Sequence, residues 1–335
     1  MSNILYNTLY LSKSQFGVTI DSINLGLAEQ GHPPFLIPPE LADCGRLYND
    51  NNEDIHEKHN ITERPAGIKA RDRLAQALYT EIYRHGNCVW LDLRDVSESQ
   101  WSAEPFSAST RQVLGERYGA KHRAVRVAPL AHHVMGGICI DIQGATSVPG
   151  LFAAGEVTGG LHGANRRGGN ALTETVVFGS RAGRAAGQWA KNIPGERSGV
   201  RSDGFDLAGS GIGATDAKSV AIRLLVELRK ILWTEGGILR NRPGLARAAK
   251  GVQAIKKEAD HLPVTNDSRQ VQRVLELRFA AQSAEIILQA ALRRQESRGA
   301  HFREDYPTQD DQNWRGHLQV RQSADGQLKY KFQPI

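Results

Sequence analysis

The sequence predicts an α/β segment followed by an all-α bundle, and three observations predict it. Up to about residue 190, short apolar runs alternate with helical patterns and glycine turns. Within that part, Gly150 to Gly183 reads GLFAAGEVTGGLHGANRRGGNALTETVVFGSRAG, with glycine clusters on both sides of one histidine and two adjacent arginines. Beyond a polar, Gly-rich connector, Gly195 to Gly213, three apolar stripes follow one another at helical spacing.

The elements are taken in order. The prolines of GHPPFLIPPEL forbid regular structure, and Cys44 to Asn49 is compatible with a short strand. In KARDRLAQALYTEIYRHG, Leu74, Leu78 and Ile82 recur every fourth position, so a helix is expected that ends at Gly86. CVWLDL reads as a strand. GGICIDIQG alternates apolar and polar residues before a glycine turn, as a half-buried strand does, and GLFAAGE reads as a short apolar strand. From Asn170 a helix is expected, in which Gly179, Ala182, Gly183 and Ala186 permit close packing on a sheet. GSGIGA, Gly209 to Ala214, fits a dinucleotide fingerprint, but only helices follow it, so a flexible linker is the better account. The stripes are Leu224, Leu225, Leu228, Ile231 and Leu232; then Leu245, Ala248, Ala249, Val252, Ile255 and Ala259; then Val274, Leu277, Ala281, Ala284, Leu288 and Ala291. Pro243 fits the first position of the second helix. Three such stripes predict an antiparallel three-helix bundle whose apolar face is core.

Composition narrows the function. With 335 residues, 40% of them hydrophobic, the chain can bury a sizeable core in two or three domains. The formal net charge of +6 favours anions, yet 42 basic residues are scattered among 36 acidic ones, which suits a small anionic ligand better than nucleic acid. Cys44, Cys88 and Cys139 lie far apart, which argues against a disulfide framework or a zinc site and fits a reducing compartment. No apolar run approaches the roughly 20 residues of a membrane span. The amino terminus is too polar for a secretory signal. A cytoplasmic protein is expected, peripheral on a membrane only through a partner subunit.

The glycine–arginine stretch carries the chemistry. Glycines tolerate positive φ and let a flat ligand lie against the backbone. A helix beginning at Asn170 points free N–H groups and the positive end of its dipole at that ligand. Arg166 and Arg167 sit beside this surface, where one guanidinium can hold a carboxylate in bidentate fashion. On composition alone, a glycine-rich turn with exposed arginines explains the same residues.

Four motifs in order give a resemblance. VPGLFAAGEVTGGLHGANRRGGNALTETVVFG resembles the second flavin-binding segment of the fumarate reductase/succinate dehydrogenase flavoprotein family. AHHVMGGICID resembles that family's His-x-x-Met-Gly-Gly strand, KARDRLAQAL its Thr-Arg-Asp helix, and ESRGAHFREDYPTQDDQNW its carboxy-terminal Ser-Arg-Gly-Ala-His motif. The match runs from about Pro38 to the end. It implies an FAD-binding α/β domain, present in part, with a capping-domain segment and the carboxy-terminal bundle. The implied boundaries are 1–130 for the leader and capping-like segment, 131–195 for the carboxy-terminal portion of the FAD-binding domain, and 196–335 for the linker and helical domain.

The resemblance also implies roles. Arg71 matches the proton donor, His132 a substrate-binding histidine, and Arg166 the arginine that clamps a substrate carboxylate. Glu156 matches the acid on the ribityl or ribose hydroxyls of FAD, and Gly136 and Gly137 belong to the cofactor site. Asn170, Ala171 and Leu172 match the helix start under the flavin pyrimidine ring. The implied reaction interconverts fumarate and succinate, or a similar dicarboxylate, with hydride from flavin N5 and a proton from Arg71. An aspartate-oxidase-like reaction is a second implication, and SRGAHFREDYP resembles the dehydrogenase version more closely. An electron-transfer partner, such as an iron–sulfur subunit, is expected with it.

The pattern also departs from the family. No strand-embedded GxGxxG precedes Gly150, so the unit that holds the ADP half of FAD is not represented. The family's His-Pro-Thr substrate motif has only His32-Pro33 to match it, which makes His32 a further substrate-binding candidate, and its Thr-Glu pair is replaced near Ile37-Pro38. An isoalloxazine edge and one helix terminus are not expected to retain FAD by themselves. Two expectations follow: a separate FAD-binding polypeptide completes the site, or the chain is a truncated fragment with little activity.

Overall fold

In this computed structural model the described residues are 22–27, 37, 41, 43–103, 106–193, 217–263, 268–323 and 327–335. They fall into two units, one running up to His133 and one from Val134 to Ile335. GSGIGA, most of the connector around it, and His32 lie outside the described residues. Among the described residues no helix is long and apolar enough to cross a membrane.

The unit ending at His133 is built on an antiparallel sheet of four strands. β1 (Ser22–Leu27) pairs with β4 (Val125–His133), β4 with β3 (Val89–Asp92), and β3 with β2 (Arg46–Asn49). Along β4 every second side chain is buried, so Val125 and Val127 enter the core with Leu47, Val89 and Leu91. Pro129 is tolerated because β4 has by then run past the end of β3 and is paired only with β1. Helix α1 (Arg71–Tyr79) packs on β1 and β4 and buries Leu74 and Leu78.

The helix expected over residues 69–86 is shorter at its start. Ala70, at φ −132°, separates α1 from a short helical turn, Ala66–Lys69. At the other end α1 widens into a π-helical turn, Thr80–Arg84, and Gly86 ends it in the left-handed region at φ 76°.

That π turn carries a buried carboxylate. Glu81 is fully buried and accepts from Asn49 Nδ2 at 2.8 Å, Asn87 Nδ2 at 2.7 Å and His59 Nε2 at 2.8 Å, with Lys58 Nζ at 3.1 Å. Burial pushes its pKa upward, but these donors outweigh burial and hold it at about 2. The folded value lies below the ordinary 4.5, so the stability this group contributes is complete above that pH and is lost as pH falls towards about 2. Glu81→Gln is therefore expected to lower stability at neutral pH and to flatten the acid limb across that window. Urea unfolding at stepped pH measures this, and an unchanged acid limb would assign the acid sensitivity elsewhere.

The unit from Val134 opens with irregular backbone. The two strands expected in GGICIDIQG and GLFAAGE do not form, and isolated bridges replace them, Ile138 to Thr158 and Ala145 to Phe152. The reason is local: Asp141 Oδ1 accepts from the backbone N–H of Gln143 and Ala145, and this turn folds the chain back before a ladder can extend. Helix α2 (Asn170–Lys191) follows, 22 residues long. Only Glu174 and Ala182 on it are buried, whereas Leu172 and Val176 are 78% and 72% exposed. Gly179, Gly183 and Gly187 face open space, whereas Ala182 is buried against Gly144, so among the described residues the small-residue face that the sequence marks for close packing is covered only in part.

The three stripes form α3 (Ala217–Glu235), α4 (Arg242–Asp260) and α5 (Ser268–Arg293), each packed on the other two. Every residue of the second and third stripes is buried, and in the first only Ile231 is not fully so. Asn241 caps α4 by accepting from the Gly244 N–H at 2.9 Å, which places Pro243 one position later than expected but still within the first turn.

A charged segment closes the bundle. Arg303 is fully buried; its Nη1 donates to the carbonyls of Ala291 at 2.6 Å and Arg294 at 3.1 Å, and its Nε and Nη2 grip both oxygens of Asp305 at 2.8 Å. It satisfies carbonyls that the end of α5 leaves unpaired. Beyond lies an antiparallel hairpin absent from the sequence reading, β5 (Gly316–Gln322) with β6 (Leu328–Pro334). It is held by Trp314 edge-on to Phe332 and by the Arg293 guanidinium 3.9 Å above the Tyr330 ring.

Candidate functional site

The residues expected to act divide between the two units. In the first, Arg71 is the opening residue of α1; it is buried, and its Nε donates to the Gly67 carbonyl at 3.3 Å. Burial pushes the pKa of the adjacent Asp72 up, while its own and Arg73's backbone N–H groups and the Arg71 charge pull it down less strongly. His132 lies near the end of β4 on its half-buried side, and His133 is buried on the opposite side.

In the second unit, short contacts bring three pieces of chain together. The Val134 N–H donates to Glu156 Oε1 at 2.8 Å, the Ile138 N–H to the Val157 carbonyl at 2.8 Å, and the Gly159 N–H back to Ile138 at 3.0 Å. Gly137 must be glycine, because a Cβ there would overlap the Val157 carbonyl. Glu174, from the first turns of α2, accepts from the Gly155 N–H at 2.9 Å. The sequence reading passed over Glu174, whose signal is that it is the one acid in its helix. Gly136, Gly137 and Glu156 thus belong to one cluster anchored to the start of α2.

The loop from Gly159 to Gly169 leaves this cluster as bare backbone. Gly160, Gly163 and Gly169 have φ of 98°, 59° and 83°, and no atom of the described residues other than their chain neighbours lies within 4 Å of the position a side chain would take at any of them. Among the described residues no side chain caps the first turn of α2, where Asn170 and Leu172 are exposed and Ala171 is half-buried. Open glycine backbone leading to an uncapped helix start fits the flat, electron-rich end of a flavin. Arg166 lies in the middle of this loop yet is only 8% exposed. Its Nη1 donates to the Arg167 carbonyl at 3.3 Å, and its Nε has no hydrogen-bond partner among the described residues. A buried guanidinium with an open donor suits an anion.

Comparison with known proteins points to a flavoprotein. The family model described as "FAD binding domain" matches residues 45–172, and that described as "Fumarate reductase flavoprotein C-term" matches residues 226–335. A fumarate reductase flavoprotein subunit of Mycobacterium tuberculosis is 33% identical over 292 residues, which is 79% of this chain and 49% of that protein. An L-aspartate oxidase of Streptomyces coelicolor is 29% identical over 329 residues, which is 94% of this chain and 53% of that protein. Among solved structures, an E. coli quinol fumarate reductase superposes with a TM-score of 0.77 at 25% identity, covering 94% of this chain and 59% of that one. The chain spans about half the length of the curated relatives it matches.

Proposed function

The chain belongs to the fumarate reductase/succinate dehydrogenase flavoprotein family, and from that premise we propose that it forms part of an FAD-dependent enzyme interconverting fumarate and succinate. The observation that supports this most is Arg166, a buried cation with a donor left open beside bare glycine backbone. In this reading Arg166 holds one carboxylate of the substrate through its guanidinium, and His132 holds the other through a ring nitrogen. Their pull on the dicarboxylate makes an alkene carbon electron-poor. Arg71 delivers the proton from its guanidinium to the neighbouring carbon. The Gly159–Gly169 backbone and the start of α2 hold the ring end of FAD, with Glu156 directed to its hydroxyls; FAD, when bound, supplies the hydride chemistry.

The uncovered face of α2 is read as the place where a dinucleotide-binding polypeptide or segment completes the FAD site. An electron-transfer subunit is the expected redox partner. L-Aspartate is the second substrate reading, favoured by the aspartate oxidase relatives. The test is to purify the chain alone and together with a GxGxxG-bearing polypeptide, record flavin absorbance, and assay fumarate reduction and aspartate oxidation. Flavin retained with fumarate turnover is the expected result; colourless protein in both preparations would remove the enzyme reading.

A further inference from the structure

We infer that the Arg298–His301 turn is a clasp that fixes the Gly159–Gly169 loop, with Gly299 and Ala300 as positioning residues for Arg166. The inference rests on the reading of Arg166 as a carboxylate-binding residue. Arg298 and His301 exchange two backbone hydrogen bonds, at 2.8 and 3.0 Å, around a two-residue turn. Its first central residue, Gly299, has φ 56°, a conformation that primed hairpin turns reserve for glycine. A Cβ on Gly299 would overlap the carbonyl group of Ala164. The turn can therefore press directly on the loop, and the Ala300 N–H donates to the Ala164 carbonyl at 3.0 Å, two residues before Arg166.

The base of the clasp is rigid. Ser297 Oγ donates to the Tyr306 carbonyl at 2.7 Å, and Arg298 grips both oxygens of the fully buried Glu296 at 2.9 and 3.0 Å. The Arg240 guanidinium meets His301 Nδ1 at 2.6 Å, while Arg240 Nε is held on the carbonyls of Gly236 and Gly237. Burial, and after it the Arg240 charge, keeps the His301 pKa well below its ordinary value, so the neutral ring accepts at Nδ1. The loop, by contrast, is rich in glycines that cost conformational entropy to order. A braced turn that contacts it at Ala164 restricts that freedom beside the Arg166 guanidinium.

The test is hydrogen exchange on the full chain for wild type, Gly299→Ala, Ala300→Pro, which removes the donor, and Ala300→Gly, which keeps it. Amides of residues 159–169 are expected to exchange about tenfold faster in the first two variants, the worth of one lost hydrogen bond. Ala300→Gly and the helices α3–α5 should match wild type. Malonate serves as the dicarboxylate probe, and its half-protecting concentration over the loop should rise about tenfold in Gly299→Ala and Ala300→Pro. Unchanged loop exchange, or loop and bundle accelerating together, would overturn the clasp. Absence of malonate protection in wild type would instead remove the role given to Arg166, while the loop exchange still decides the clasp.

Discussion

Replacing Arg71 with alanine in the flavin-loaded protein is expected to lower fumarate reduction by roughly 10²–10⁴, the usual worth of a placed proton donor. Arg71 is buried at the start of α1, so the change can also act through folding. Far-UV circular dichroism beside the kinetics separates the two effects. Arg71→Lys sharpens the test. A guanidinium keeps its proton to about pH 12, whereas a lysine ammonium gives it up near pH ~10.4. The lysine variant should regain part of the rate and lose it again as pH rises, a limb that wild type lacks. If the alanine variant keeps its rate to within about threefold, proton donation lies with another group.

The largest stability effect is expected at Arg303. Arg303→Met keeps a long apolar stem but removes the donors to Ala291, Arg294 and Asp305. Asp305 is exposed, so the cost falls on the carbonyls of Ala291 and Arg294, which lose a buried donor at roughly 1–3 kcal/mol each. For a domain of this size that is together a fall in Tm of ~4–24 °C. Arg303→Lys should recover little, since a single ammonium cannot reproduce the planar fork that grips both Asp305 oxygens. Thermal melts of the three proteins decide it: a shift below about 2 °C for the methionine variant would mean that water satisfies the α5 carbonyls unaided.

The bundle was legible because its stripes, from Leu224 to Ala291, are local and repeat at one period. The helix from Asn170 and the glycine loop before it were legible for the same reason, as runs of adjacent residues. Long-range arrangements left no such trace. Glu81 meets Asn49 across 32 positions, and Ala300 meets Ala164 across more than a hundred, so neither partner could be chosen from spacing. Pro129 hid β4, whose second half pairs on one side only. Arg321, Lys329 and Lys331 hid a hairpin whose Phe332 and Tyr330 rest on Trp314 and under the Arg293 guanidinium. In GGICIDIQG the alternation was real, but Asp141 turns the chain before more than the single Ile138–Thr158 bridge can form.

The open face of α2 gives the protein an optical reporter of its own. Of the five tryptophans, Trp101 and Trp233 are buried and Trp90 and Trp314 half-buried, whereas Trp189, near the end of α2 with its indole against Gly150, is 45% exposed. Whatever body settles along that helix and reaches its last turns withdraws this one indole from water. Its fluorescence then moves to shorter wavelength in proportion to occupancy, so assembly can be titrated without a label.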